Sequence, residues 1–402
     1  MRDFFRGDDP LFSIRKAAKI DYALLLMMIG ASAIGVLAIA EADIRHPGLS
    51  PDGFAVRHLA GTVIGALITF ILPLFDLRGV FTHKRFCQAV YALSLLLLVA
   101  VRLFGVTYGG AKRWIDIGPF SFQPSEVVKI LLILFYAEFI IRYKNRMHSL
   151  GIFTISAACG AVVLALIALQ PDLSTAAVTA LIVCGMFFAA GLAWQIVGGV
   201  IAAMIPLVLI LFMDALSGSS RFLRGYQAQR ILAWLHPEDY ADSFAYQTMN
   251  SMIAIGSGGA IGKGLDAAQS QTLFGTGYIA ESTTDFIYTV IGETLGFAGC
   301  VLVIALLFGI ALRCFMIAAD MQDPRGSLIA MGTGIWVLVQ SFLNIGVATG
   351  LLPNTGIPLP FISSGLSSLL CLYTAAGIVM NVRIHDHEDN TAGPYSTERS
   401  EE

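Results

Sequence analysis

The sequence predicts an all-α polytopic membrane protein of about ten transmembrane helices, with one large extracytoplasmic loop between helices 7 and 8. Three observations carry that prediction. Of 402 residues, 56% are hydrophobic and only 13% are charged, against about 25% charged in a soluble domain. Such a chain cannot cover a water-facing surface, and its mean hydropathy of +0.75 agrees. The apolar residues also come in runs close to the roughly 20 residues that cross a bilayer. Finally, Lys and Arg are unevenly shared between alternate connections. The net charge of −3 argues against a nucleic-acid partner.

Ten runs are placed, near 22–41, 58–76, 87–106, 126–143, 150–170, 173–191, 195–213, 285–312, 327–350 and 365–382. No small-residue cleavage site follows the first, so it is a retained span rather than a signal peptide. Both termini are expected in the cytoplasm. Arg15, Lys16 and Lys19 precede the first span, and the short inner loops hold Arg78, Lys84 and Arg85, then Arg142, Lys144 and Arg146. This divides the chain into a cytoplasmic segment 1–21, a transmembrane domain 22–383 and a polar, disordered cytoplasmic tail 384–402.

The loop 214–284 far exceeds the roughly 12–15 residues usual for a structureless connection. With Trp234, Tyr240, Phe244 and Tyr246 it is too apolar for disorder, and helices lying on the outer membrane surface are expected in it. Function is therefore sought outside. The cysteines Cys87, Cys159, Cys184, Cys300, Cys314 and Cys371 form no C-x-x-C pair, and no H-E-x-x-H spacing occurs. They read as buried small hydrophobes, not as disulfides or zinc ligands.

Gln123-Pro124-Ser125-Glu126-Val127-Val128-Lys129 reads as a helix start, with Pro124 near N1 and Glu126 near N3. Lys129 lies on the same face as Glu126, where the two can pair. Ionisable groups inside a span face a partner or a wet cavity. The pair is thus either structural or also part of a functional cavity. Gln170-Pro171-Asp172-Leu173-Ser174-Thr175 makes Asp172 an N-cap candidate at another outer turn.

Glu281-Ser282-Thr283-Thr284-Asp285-Phe286 repeats the arrangement, with hydroxyls and a carboxylate opening the eighth span. Thr289, Gly292 and Gly296 follow on that face, all small or polar, and Glu293 lies deeper, where an unpaired carboxylate would be costly. Glu126, Asp172 and Asp285 thus each begin a helix that runs from outside to inside. Three caps would explain them, since acidic residues favour helix starts. A shared outer cavity explains them better, because the same helix N-termini suit an anionic phosphate.

The stretch Gly256-Ser257-Gly258-Gly259-Ala260-Ile261-Gly262-Lys263-Gly264 resembles a P-loop only superficially. Ser257 occupies the first glycine position and Gly264 replaces the magnesium-binding Ser/Thr, so nucleotide binding is rejected.

Taken in order, G-A-K-R-W from Gly110, Q-P-S-E-V-V-K, Q-P-D-L-S-T, I-A-I-G-S-G-G, T-D-F-I-Y and N-I-G-V-A-T-G-L-L-P-N-T-G-I-P-L-P-F resemble the SEDS glycosyltransferases, the RodA, FtsW and SpoVE family. The likeness runs from about Gly110 to Ser368. Gly356-Ile357-Pro358-Leu359-Pro360 looks more like elongation-type RodA than division-type FtsW. Two departures stand out: Ala280 replaces the family's proline, and Ser363-Ser364-Gly365-Leu366 replaces its S-Y-G-G.

The resemblance implies an enzyme of the bacterial cytoplasmic (inner) membrane that polymerises lipid II into peptidoglycan strands outside, releasing undecaprenyl diphosphate. It also implies a class B penicillin-binding transpeptidase as partner. By residue match, Asp285 is the base on the incoming 4-hydroxyl. Substrate-binding candidates are Arg113, Asp172, Arg221, Arg224, Lys263, Glu281 and Thr284, the cations being suited to a diphosphate. Magnesium or manganese bridging diphosphate to Asp172 or Asp285 fits that ligand chemistry. The competing readings are a lipid-linked precursor flippase or other transporter, a non-catalytic scaffold for a transpeptidase, and a division-type role.

Overall fold

The computed structural model describes residues 14–45, 53–77, 80, 85–108, 111–118, 120–146, 150–191, 206, 209–210, 212–217, 225–265 and 271–391. In chain order its elements are α1 (Tyr22–Arg45), α2 (Phe54–Ile71), α3 (Phe86–Phe104), β1 (Val106–Tyr108), β2 (Ala111–Ile117), β3 (Phe120–Phe122), α4 (Pro124–Arg142), α5 (Leu150–Leu169), α6 (Leu173–Ala189), α7 (Gly225–Leu235), α8 (Tyr246–Ser257), α9 (Ile287–Asp320), α10 (Pro324–Ala348) and α11 (Leu366–Thr391). Among the described residues, seven helices are long and apolar enough to cross a membrane: α1, α2, α3, α5, α9, α10 and α11. Helices α4 and α6 coincide with two more of the expected spans. The first carries Glu126, Lys129, Glu138 and Arg142, and the second has 17 residues. The expected span near 195–213 lies mostly outside the described residues.

Helix α4 is the centre of the bundle. It buries Glu126, Lys129 and Glu138 together with apolar residues on all its faces, and α3, α6 and α10 pack around it. A helix apolar on every side belongs inside a bundle. Helix α9 packs on α10 and α1, and α11 on α2.

The all-α expectation omits one element. Between α3 and α4 the chain forms an antiparallel meander, with Val106 opposite Trp114 and Ile115 opposite Phe122. The short alternating strands there were hidden between two longer apolar runs. In the stretch 214–284 the described residues include two short helices, α7 and α8. A second correction concerns the tail. Helix α11 continues to Thr391, because His385 and Asp386 are not solvated. Lys16 Nζ lies 2.8 Å from His385 Nε2, and Asp386 accepts from the Gln322 and Asp323 backbone amides at 3.0 and 2.7 Å.

Helix α9 is broken at Gly296 (φ +64°, ψ −159°), and the glycine-rich loop after α8 fills the break. Lys263 and Gly264 amides donate to the Glu293 and Thr294 carbonyls at 2.9 and 3.0 Å. Phe297 and Ala298 amides donate to Gly259 and Ala260 at 2.9 and 3.1 Å. The loop therefore satisfies the backbone groups that the break exposes. Gly262 and Gly296 approach so closely that a Cβ on either would overlap the other segment's backbone. This packing accounts for the glycines that mimic a P-loop.

At the end of the bundle away from the sheet, Asp21 takes ion pairs from Arg313 (2.9 Å) and Arg383. Glu138 there takes Arg142 and Arg325, both at 2.8 Å. Of these basic residues, Arg142 belongs to an inner loop by the sequence reading above.

Candidate active site

Asp285 lies just ahead of α9, whose N-cap is Phe286 without a side-chain capping bond. Its carboxylate is thus not the cap that a carboxylate at a helix start would suggest. The backbone around it is fixed from three directions. Asn344 Nδ2, on α10, donates to the Asp285 carbonyl at 2.8 Å and to the Ile357 carbonyl at 2.7 Å. Ser363 Oγ donates to the Thr284 carbonyl at 2.6 Å, and the Ser364 amide to Thr283 at 3.0 Å. Thr284 Oγ1 donates to Glu281 Oε2 at 2.9 Å. The remaining side is Gly356, with φ +69°.

Burial pushes the Asp285 carboxyl up to about 7, helped by the Glu281 charge; Arg230 and Arg113 oppose the shift, and Asp172 adds to it. A carboxyl titrating there is set to exchange a proton at neutral pH. It also places Arg113, Asp172, Arg230, Glu281 and Asp285 within one electrostatic neighbourhood.

The sheet delivers Arg113 to the start of α6. Its guanidinium donates to the Gln170 carbonyl at 3.4 Å and to that of Pro171, and lies 3.8 Å from Asp172 Oδ1. Asp172 is the N-cap expected of it, accepting from the Thr175 amide at 3.1 Å. Gln123 Nε2 reaches its other oxygen at 3.4 Å. A cavity of about 540 Å³ opens between these elements and α7, with Arg113, Ser174, Gln227, Arg230 and Asn354 in its walls. Two guanidinium groups and a helix N-terminus in one concavity suit an anionic, phosphate-type ligand.

Glu126 and Lys129 do pair, at 2.8 Å and both buried. Glu126 is not a capping residue, since α4 has no side-chain cap. Lys129 also donates to Gln340 Oε1 at 2.9 Å and sits 4.5 Å from the Trp336 ring centroid. Gln340 Nε2 in turn holds the Pro358 carbonyl at 2.9 Å. Because Asn344 is one turn from Gln340, one face of α10 links the buried pair to the segment beside Asp285. The pair reaches the site through that face.

Lys263 is not among the charges acting on Asp285. Its ammonium is bound to Glu293 at 2.6 Å and to the Gln271 carbonyl at 2.7 Å. Glu293, fully buried, also accepts the Leu273 amide at 2.9 Å. Arg221 and Arg224 lie outside the described residues. Arg230 is the site residue that the motifs did not single out. It sits in a short amphipathic helix, and only tertiary packing brings it to Asp285. Among the described residues no three His, Cys, Asp or Glu side chains converge as a metal cage.

The family model for the FtsW, RodA and SpoVE cell cycle proteins matches residues 21–388. The chain belongs to this family. Among its relatives, the probable peptidoglycan glycosyltransferase FtsW of Bacillus subtilis is 32% identical over 373 residues, covering 90% of each chain. The peptidoglycan glycosyltransferase MrdB of Escherichia coli K12 is 33% identical over 372 residues, covering 91% of this chain and 94% of MrdB. The fold matches a chain from a peptidoglycan synthase complex described as coordinating polymerization and crosslinking, with a TM-score of 0.74 and 27% identity over 92% of this chain and 99% of that one. It also matches the Thermus thermophilus rod shape determining protein RodA, with a TM-score of 0.66 and 25% identity over 92% and 98%. This FtsW/RodA/SpoVE member carries the buried Glu126–Lys129 pair and the raised Asp285 on the family's shared scaffold.

Proposed function

We propose that this FtsW/RodA/SpoVE protein is a peptidoglycan glycosyltransferase that polymerises lipid II at the outer face of the bacterial cytoplasmic membrane, as an elongation-type enzyme. Its relatives' names support the activity. The observation that carries the mechanism is Asp285, raised toward neutrality by burial and acted on by the charges of Arg113 and Arg230, which line a common cavity.

Forming a β-1,4 bond from an α-linked diphosphate donor is a single inversion. The acceptor 4-hydroxyl loses its proton to the Asp285 carboxylate as its oxygen attacks the anomeric carbon, and the bond to the diphosphate breaks on the opposite face. Arg113 and Arg230, with the amides opening α6, hold the departing charge. Glu281 and Thr284 shape the rim on the acceptor side. Magnesium or manganese at Asp172 and Asp285 would add further neutralisation of the diphosphate. A ten-span topology with both termini inside accommodates the site, because basic residues gather at the far end of the bundle. The partner is a class B penicillin-binding transpeptidase, a reading supported by the likeness to a synthase complex.

Purified protein given lipid II tests the reading. Glycan strands should form in detergent, where no sealed membrane exists to cross. Translocation of lipid II across vesicles without strand formation would instead indicate a flippase, which the ion-paired far end disfavours.

A further inference from the structure

His58, on α2, is 1% exposed, yet among the described residues neither of its ring nitrogens has a partner in hydrogen-bond geometry. A buried polar group in that state is rare and costly. The backbone group acting on the ring is that of Phe361, which has no rival for it among the described residues. An N–H of a neutral imidazole can be matched there only by the carbonyl.

Phe361 is itself unusual. Its φ is +64°, a left-handed conformation that a bulky residue adopts only where its surroundings impose it. Those surroundings come from α1, α2 and α11. The Tyr373 ring meets the Phe361 ring edge-on, with centroids 5.4 Å apart. The Tyr373 hydroxyl lies 3.0 Å from Ser32 Oγ, and Thr69 Oγ1 donates to the Tyr373 carbonyl at 2.7 Å. Gly35 lets α1 close on the same point: a Cβ there would lie 2.5 Å from the Ile362 carbonyl oxygen and 3.0 Å from His58 Nε2.

The same turn grips the segment that carries Asp285. Ser363 Oγ accepts from the Leu359 amide at 2.8 Å and donates to the Thr284 carbonyl at 2.6 Å. The Ser364 amide donates to the Thr283 carbonyl at 3.0 Å. The hydroxyl that fixes the backbone ahead of Asp285 thus belongs to the second residue after the strained Phe361.

We propose that His58 is a positioning residue: its imidazole N–H, facing the Phe361 carbonyl, keeps the 359–364 turn in its left-handed form, and the turn holds Asp285 where it acts. His58 works through Phe361 and Ser363, not on substrate. The inference rests on the reading of Asp285 as the base, and adds a residue outside the charges that act on it.

The test compares His58→Leu, which keeps apolar bulk without either nitrogen, with His58→Gln, whose amide can still donate to a carbonyl. Full-length proteins in detergent are assayed with lipid II, and amide exchange is read by mass spectrometry over 281–290 and 359–366. Burying leucine in place of an unpaired imidazole should hold or raise the thermal midpoint. Exchange in both segments, which the Ser364–Thr283 bond joins, should nevertheless quicken in His58→Leu and stay near wild type in His58→Gln. In His58→Leu kcat should fall roughly ten- to hundred-fold, the scale of a misplaced catalytic group, with KM unchanged. His58→Gln should recover most of that loss.

A histidine that merely fills the core would leave kcat or exchange at the wild-type level in His58→Leu, and either result overturns the proposal. So would equal losses in the two variants, or a raised KM at unchanged kcat. Wild-type protein that forms no strands would sink the enzyme reading, and the exchange comparison would still decide whether His58 holds the turn. If His58→Leu does not fold, His58→Met, equally without a donor but more adaptable in packing, carries the same comparison.

Discussion

Gly356 faces Asp285 so closely that a Cβ on it would lie 3.2 Å from the Asp285 Oδ2 atom. Two demands meet at this glycine: a left-handed backbone, φ +69°, and open space for a carboxylate. The relationship joins the I-P-L-P segment to the group that titrates near neutrality.

Gly356→Ala should therefore act through Asp285. The left-handed conformation costs a residue with a Cβ about 1–2 kcal/mol, and the methyl group presses on the carboxylate. Lipid II polymerisation should fall at least ten-fold in kcat, with membrane insertion and yield retained. Wild-type kcat in the alanine variant would show that the close approach does not matter.

The pH profile carries a second prediction. The Asp285 carboxylate must be unprotonated to act as a base, so activity should rise with pH through about 7. Glu281→Gln removes a charge that raises this carboxyl, and should move the rising limb to lower pH. Arg230→Gln removes an opposing charge and should move it to higher pH. The sign for stability is the reverse of that for a salt-bridged Asp. Between the ordinary Asp range and about 7 the folded state keeps a proton the unfolded chain has lost, so this group makes folding less favourable as pH rises. A limb that stays fixed in both variants would rule out Asp285 as its source.

Glu126→Ala and Lys129→Ala each leave a buried partner charged and alone, a loss of about 3–5 kcal/mol. Both should lower the thermal midpoint and abolish polymerisation. The swapped pair, Glu126→Lys with Lys129→Glu, should recover only part. It puts a carboxylate where the Trp336 ring and Gln340 now hold an ammonium. Full activity in either single variant would show that the pair does not support the site.

Lys263 distinguishes a structural cation from a substrate-binding one. Because it neutralises Glu293, which is fully buried, Lys263→Ala should lower yield and thermal midpoint, with KM for lipid II unchanged in the protein that survives. Adding Glu293→Gln should restore much of the loss. A raised KM at normal stability would return Lys263 to the diphosphate site.

Much of this architecture was legible in the sequence. Long apolar runs locate the helices because bilayer thickness sets their length, and the cost of burying charge pairs Glu126 with Lys129 from their spacing alone. The three acidic helix starts pointed to one end of the bundle, where Asp172 and Asp285 now share neighbours. What stayed hidden depends on contacts distant in sequence. Arg230 reaches Asp285 only through the packing of α7, and Glu293 claims Lys263 across a helix break that no hydropathy pattern marks. The meander at 106–122 is too short to stand out between two spans, and the tail residue His385 stays inside through contacts with Lys16 and the Asn381 carbonyl, which no local pattern marks.

The most direct test of the account is Asp285→Asn in a purified lipid II polymerisation assay. Asn is nearly isosteric, and the site binds Asp285 through its backbone carbonyl, which the substitution keeps. Folding, insertion and transpeptidase binding should therefore persist. Asn cannot accept the hydroxyl proton, so the rate should drop by roughly 10²–10⁴, with no recovery on raising the pH. Strand synthesis by Asp285→Asn at near wild-type rate would contradict the account and shift the search for the base to Asp172 or Glu281.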